Sequence, residues 1–246
     1  MKFTFFGDLL GISSIYKLSS DKAYEKLNEF YNTTFSTLEE KCTVKDSFEV
    51  SMFSDSLIAY GDDAENALKV FSVIFMKLLN KGLLLRGAMV KGRLTFDPRL
   101  DRSNFRKMLP QDDTLARVVG LGNTQKGARF LVETHLAQEL LRSAPEWLTH
   151  DGYVRQLYEQ QIPYDHILRR LCPTPDSTAF EVLYFWVCNS ESGQIKIDYP
   201  AKRDELCEIQ KMVDEGAGKH YKATFDLLRR CENRQKYTDK KLRGEG

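Results

Sequence analysis

Two aspartates occupy places where a carboxylate is costly unless something pairs with it. Asp8 ends the apolar run Phe3-Thr4-Phe5-Phe6-Gly7 and opens Asp8-Leu9-Leu10-Gly11-Ile12-Ser13. An unpaired charge at the end of a buried strand is unfavourable, and a divalent cation is one partner that relieves it. Gly11 admits close backbone approach, and the amides of residues 10–13 can face an anion as a phosphate cradle does. Asp55 has an analogous position in Met52-Phe53-Ser54-Asp55-Ser56-Leu57-Ile58, at the tip of a hairpin. If the two strands are neighbours, the carboxylates converge although they are far apart in sequence. Two aspartates beside a phosphate cradle describe a two-metal site. Mg2+ takes oxygen ligands at ~2.0–2.1 Å, often one or two carboxylates plus substrate phosphates. Paired ions ~3.5–4 Å apart can activate an attacking oxygen and stabilise a leaving one. On spacing alone, Asp8 reads equally well as a cap or turn residue and Asp55 as a hairpin-turn residue.

The elements that must position these groups follow from periodicity. Residues 2–7 form a buried strand ended by Gly7. Ser19 or Ser20 caps a helix reaching about Cys42, with Ala23, Tyr24, Leu27, Phe30, Tyr31, Phe35 and Leu38 in helical period. Residues 47–60 are two strands turning at Ser54-Asp55, and a helix follows from Asp63 to Lys81 with Gly82 at its C′ position. Residues 83–94 make a strand carrying Arg86-Gly87 and Lys91-Gly92; 95–112 are a long loop broken by Pro98 and Pro110. A short helix at 114–119, a turn at 120–127, a strand at 129–132 and a helix at 134–142 come next. Residues 145–178 decorate the surface, 180–188 form a strand, and 194–199 are its hairpin partner. From 201 the chain is helical and highly charged, with a break at Gly216-Ala217-Gly218. A hairpin inside alternating helices and strands predicts an α+β sandwich, a mixed or antiparallel sheet with helices packed on one face. The expected organisation is a core over 1–144, a decorating segment with the final strands over 145–200, and a charged helical extension over 201–246.

At 246 residues the chain buries roughly three quarters of its unfolded surface, enough for a core without staples. Net charge is +1, which argues against a nucleic-acid binder, since such proteins need a one-sided basic footprint. Five cysteines without CxxC, and only four histidines, exclude a disulfide framework and a structural zinc site as readings and fit a reducing cytoplasm. The N-terminal residues turn polar too soon for a signal peptide, and apolar runs fall short of the ~20 residues of a spanning helix. Cytoplasmic localisation without direct membrane contact is therefore expected.

Four motifs in order carry a family resemblance over residues 3–142. Asp8-Leu9-Leu10-Gly11-Ile12-Ser13 resembles the Asp-Ile-x-Gly-Phe-Ser/Thr start of the class III adenylate and guanylate cyclases. Phe53-Ser54-Asp55-Ser56 resembles their hairpin tip, residues 85–92 their Leu-Arg-x-Gly-Ile-His-x-Gly strand, and residues 127–133 their late strand. The resemblance implies that Asp8 and Asp55, with the backbone carbonyl of Leu9, hold two Mn2+ or Mg2+ ions. It also implies that the amides of Leu10, Gly11, Ile12 and Ser13 touch the triphosphate, and that Phe5 lines the nucleotide pocket. The attacking group would be a ribose 3′-hydroxyl and the leaving group pyrophosphate.

Departures from the family pattern bear on the base. Purine cyclases carry an asparagine and an arginine four apart before the late strand; here Asp113 stands in the asparagine position and Arg117 in that of the arginine, which contacts the transition state. Arg117 reads equally as a solvent-facing helix arginine. The lysine that helps read adenine is replaced by Ser51, which supplies no charged donor. A short cyclase with Phe-Ser-Asp-Ser and a degraded purine motif resembles the pyrimidine cyclases of bacterial, Pycsar-type antiphage systems. Members of that group are homodimers with shared active sites that make cyclic UMP or cyclic CMP for a separate effector, so UTP is the favoured substrate and CTP the next. A purine-specific cyclase, a catalytically inactive nucleotide sensor and a nucleic-acid module are the alternatives. Gly120-x-Gly122, His135, Trp147, Trp186 and the basic tail 240–243 read as turn, surface, core and solvated positions.

Overall fold

Strict alternation along the first strand decides which side of the sheet each residue serves. The computed structural model describes residues 1–42, 48–97, 109–143, 171–174, 178–184, 199–212 and 215–242. In β1 (Phe3–Leu9), Phe3, Phe5 and Leu9 enter the main core, whereas Thr4, Phe6 and Asp8 point to the other face. β1 lies inside a seven-stranded sheet of order β2-β3-β1-β4-β5-β7-β6. The other strands are β2 (Phe48–Phe53), β3 (Ser56–Gly61), β4 (Leu85–Lys91), β5 (Phe130–Glu133), β6 (Leu171–Pro173) and β7 (Ala179–Val182), with β3 and β4 flanking β1. All pairs are antiparallel except β4–β5. The α+β class follows from the chain's own sheet and helices.

Helix α1 (Ile12–Leu18) leads into α2 (Ser20–Lys41), where the Ser19 hydroxyl accepts from the Lys22 amide and caps the helix. α3 (Ala64–Asn80) begins at Asp63, whose carboxylate accepts from the Asn66 amide. α3 is apolar nearly all round because the sheet and α2 cover it on different sides. Gly82 takes φ +70°, and Lys202 Nζ donates to the Asn80 carbonyl at the same helix end.

The expectation of helices on one face alone is corrected by α4 (Thr114–Asn123). It lies on the opposite face over β1 and β4, where Val118 meets Ala88, Val90 and Leu131, and Phe6 packs at the margin. The turn expected at 120–127 begins later, because α4 continues through Gly120 and Gly122, the latter facing Ala88 of β4. α5 (Thr134–Ser143) returns to the main core through Leu136, Ala137 and Leu140.

The charged C-terminal stretch packs into the same core. α6 (Tyr199–Met212) and α7 (Glu215–Leu242) bury Leu206, Tyr221, Leu227 and Leu228. α7 runs through the glycines where a break was expected. It holds the lead into β5, where the Ala128 amide donates to Thr224 Oγ1 at 2.9 Å; from the other side Tyr184 Oη, just after β7, donates to the Ala128 carbonyl at 2.6 Å. Gly127, at φ +93°, has no room for a side chain, since a Cβ would sit 3.0 Å from the Thr224 amide nitrogen. The outer neighbour of β7 is β6; Tyr199 starts α6, and 194–198, most of 145–178, Trp147 and Trp186 lie outside the described residues. No helix among the described residues is long and apolar enough to cross a membrane.

Candidate active site

Antiparallel register brings the two aspartates together. Asp8 pairs across the sheet with Ser56 of β3, so Asp55, one residue earlier at the hairpin tip, reaches the end of β1. The Leu9 amide donates to the Asp55 carbonyl at 2.8 Å and locks this approach. Phe53 faces Ser56, which leaves Ser54-Asp55 as a two-residue turn, and Ser54 takes φ +53°. Left-handed backbone at a non-glycine residue is uncommon, and tight hairpins require it. On the other side Asp8 faces Arg86 of β4, whose Nη2 lies 3.2 Å from Asp8 Oδ2.

The electrostatics of this corner favour an added positive charge. Burial pushes the Asp8 carboxyl above its ordinary range, the charge of Asp55 pushes it further, and Arg86 opposes both without prevailing. A second cation beside both carboxylates would relieve that excess. Among the described residues no cluster of three or more His, Cys, Asp or Glu could hold a metal by itself. Two carboxylates and a backbone carbonyl fit an ion that takes its remaining ligands from phosphate and water, as Mg2+ does.

The loop after Asp8 is a cradle shorter by one amide than expected. The Leu10 amide donates to the Leu84 carbonyl at 2.8 Å, so its place among the triphosphate contacts is corrected. Gly11 sits at φ +85°, a conformation that strains any L side chain, and ends the extended chain before α1. No described residue takes the amides of Gly11, Ile12 or Ser13. Ile12 and Leu9 bury their side chains, so only their backbone faces the site.

Phe5 is a core residue rather than a pocket wall. It is fully buried, stacked on Phe71 with centroids 4.2 Å apart, and edge-on to Phe75 and Phe130. Its parity along β1 is opposite to that of Asp8, so it points away from the carboxylates; Phe6 shares the Asp8 face. Removing the ring should cost ~3–5 kcal/mol of stability. Phe5→Leu should lower the thermal midpoint and leave nucleotide affinity unchanged. A loss of affinity in a folded Phe5→Leu protein, read by calorimetry, would put the ring back in the pocket.

Ser51 is exposed on β2 and pairs with Ile58, which pairs with Phe6; all three share the Asp8 face. Arg117 is held elsewhere. Its Nη1 donates to Glu133 at 2.6 Å and its Nη2 to the Lys91 carbonyl at 2.7 Å. Lys91 closes the end of β4 opposite Arg86, and five residue steps at ~3.4 Å put the two ends about 17 Å apart. Asp8 and Arg117 of one chain therefore do not share a site. Arg86, in turn, joins Asp8 within the same chain. Its alternation along β4 carried that signal, since only a residue of matching parity at the strand start can reach the β1 carboxylate.

No protein-family model matches the chain, and neither does any curated protein. Solved structures similar to it include the adenylyl cyclase CyaB from P. aeruginosa, at 15% identity and a TM-score of 0.48, over 58% of this chain and 81% of that one. A guanylyl cyclase domain of the RhoGC fusion protein from Blastocladiella emersonii matches at 13% identity and 0.46, over 57% and 83%. The guanylate cyclase domain of RhGC from Catenaria anguillulae, in complex with GTP, matches at 13% and 0.47, over 73% and 92%.

Proposed function

We propose that this chain is a nucleotidyl cyclase of the class III type. The ribose 3′-oxygen of a nucleoside triphosphate bonds to its own α-phosphorus, the bond from that phosphorus to the bridging oxygen breaks, and pyrophosphate leaves. The hydroxyl proton passes to solvent. The observation that carries this reading is the meeting of Asp8 and Asp55 on adjacent strand ends, with Arg86 against Asp8. Asp8, Asp55 and the Leu9 carbonyl would hold two Mn2+ or Mg2+ ions, which when bound supply charge stabilisation at phosphate oxygens. Arg86 spends Nη2 on Asp8, and its planar set of N–H donors is of the kind that suits phosphate. The amides of Gly11, Ile12 and Ser13 suit the outer phosphates.

Among the described residues Arg129 is the other arginine at this end of β4, and it is spent on Glu181 and the Lys126 carbonyl. A two-fold axis across β1 would exchange its ends and lay the Arg117 end of one chain against the Asp8 end of its partner. Two identical sites would result, each built from both chains. The face carrying Ser51, Phe53, Ile58 and Tyr60 is only partly covered within one subunit, and Phe53 is 83% exposed. Homodimerisation through that face completes the proposed enzyme.

Ser51, on the wall proposed to meet the base, supplies no charged donor for adenine, which supports a pyrimidine substrate; UTP is placed before CTP on the family resemblance alone. The product would serve as a second messenger in antiviral defence through a separate effector. Polar pockets reject ligands that leave their groups unpaired, often by factors of ~10⁴. With Mn2+ present, kcat/KM for UTP or CTP should exceed that for ATP and GTP by at least ~10²-fold. Mass spectrometry of products from the four triphosphates supplies the measurement. Equal turnover of ATP or GTP would return the reading to a purine cyclase, and no cyclic product from any of them would leave a nucleotide sensor.

A further inference from the structure

The C-terminal helix reaches the loop that follows Asp8. A Cβ built on Gly11 would meet one atom within 4 Å, the Tyr221 hydroxyl oxygen at 3.6 Å. Tyr221 is 3% exposed, its ring lies in the main core, and its hydroxyl has no hydrogen-bond partner among the described residues. The hydroxyl oxygen is not among the fully buried unpartnered polar atoms, so it is the end by which an otherwise buried side chain reaches the loop and stays open to a ligand. The preceding residue ties the helix to the same corner. His220 Nδ1 accepts from the Gly127 amide at 3.2 Å. The ring is held neutral, its pKa pushed down to about 4 by burial first and then by the nearby charges of Arg86 and Lys126. Thr224, one turn on, accepts from the Ala128 amide. These bonds hold Tyr221 at a set height over Gly11.

We propose that Tyr221 is a substrate-binding residue whose hydroxyl donates to an oxygen of the phosphate chain held at the Gly11–Ser13 loop, making α7 one wall of the phosphate site. The proposal deepens the cyclase reading and rests on it, since that reading places phosphates at this loop. Burial also pushes the Tyr221 pKa up to about 12, so the phenol remains a donor at any pH at which the protein works. A neutral donor suits this place, because a third cation beside Arg86 and Lys126 would add repulsion there. Gly11 is needed for the same contact: a side chain would fill the gap between loop and hydroxyl.

The test uses the full chain with inorganic tripolyphosphate and Mn2+, which probes the phosphate site without cyclisation or base recognition. By calorimetry, Tyr221→Phe should bind tripolyphosphate ~10-fold more weakly than the unsubstituted chain, equivalent to ~1.4 kcal/mol. Its melting midpoint should stay unchanged, because the ring and its packing are retained. A second measurement needs no variant: tripolyphosphate with Mn2+ should slow amide exchange over residues 217–226 of the unsubstituted chain. Affinity within twofold in Tyr221→Phe, or unchanged exchange in α7 on saturation, overturns the role of Tyr221 while leaving the phosphate loop standing. Failure of the unsubstituted chain to bind tripolyphosphate with Mn2+ overturns the phosphate loop itself, and the proposal with it.

Discussion

Asp8→Ala and Asp55→Ala are each expected to lower kcat at least ~10³-fold, which asks ~4 kcal/mol of the lost ligand, within the several kcal/mol that ion-held charge stabilisation supplies. The fold should survive both changes. Asp55 sits on a hairpin tip and accepts from the Leu9 amide through its backbone carbonyl, a bond that a side-chain change leaves in place. Asp8 is the more telling case, because in the folded chain burial and Asp55 outweigh Arg86 and keep its carboxyl protonated to higher pH than usual. A carboxyl whose folded pKa is raised binds its proton more tightly in the native state than in the unfolded chain. Stability from that group is present below the unfolded pKa and is lost as pH rises through the folded value. At neutral pH the ionised Asp8 therefore weakens the fold, and the nearly isosteric Asp8→Asn should keep or raise the melting midpoint while losing turnover. Activity assays with Mn2+ beside thermal melts at pH 7 read both effects. Near-normal turnover in a folded Asp8 or Asp55 variant would end the two-ion assignment.

Mixing two inactive proteins should restore activity. Arg117→Ala is expected to lose most turnover if the arginine of one chain serves the Asp8 corner of the other. In a mixed dimer of Asp8→Ala and Arg117→Ala, one site carries both lesions and the other carries neither. With random pairing, half the dimers are mixed and each has one intact site of two, so about a quarter of normal activity should return. The same substitutions combined in one chain should stay inactive when mixed with themselves. Arg117→Ala also frees Glu133 and the Lys91 carbonyl of their partner. Arg117→Lys keeps the charge and loses the fork, and separates loss of the site from loss of packing. No recovery on mixing two dimeric, folded variants would place the second cation elsewhere than Arg117.

Local chemistry made much of the fold readable before any coordinates. A cap at Ser19 or Ser20, a helix start near Asp63, Gly82 past a helix end and the Ser54-Asp55 turn each obey rules that depend on a few neighbouring residues, and the structure has Ser19 as the first cap and the other three as read. The same holds for Asp8 at a strand end, because a run of apolar residues followed by a carboxylate needs no tertiary knowledge to be noticed. Pairing belongs to another level. Strand order, register and face are set by contacts between segments far apart in the chain, and a one-residue shift in register would turn every side chain to the opposite side. Tertiary structure alone therefore decided that Phe5 faces the aromatic core while Phe6 shares the side of Asp8, that the Leu10 amide is spent on Leu84, and that Arg117 lies at the far end of β4 from Arg86. It also decided the place of α7. Its sequence reads as part of a charged helical extension, yet a stripe of Tyr221, Leu227 and Leu228 finds a core to enter only once β5 and its lead-in turn are folded.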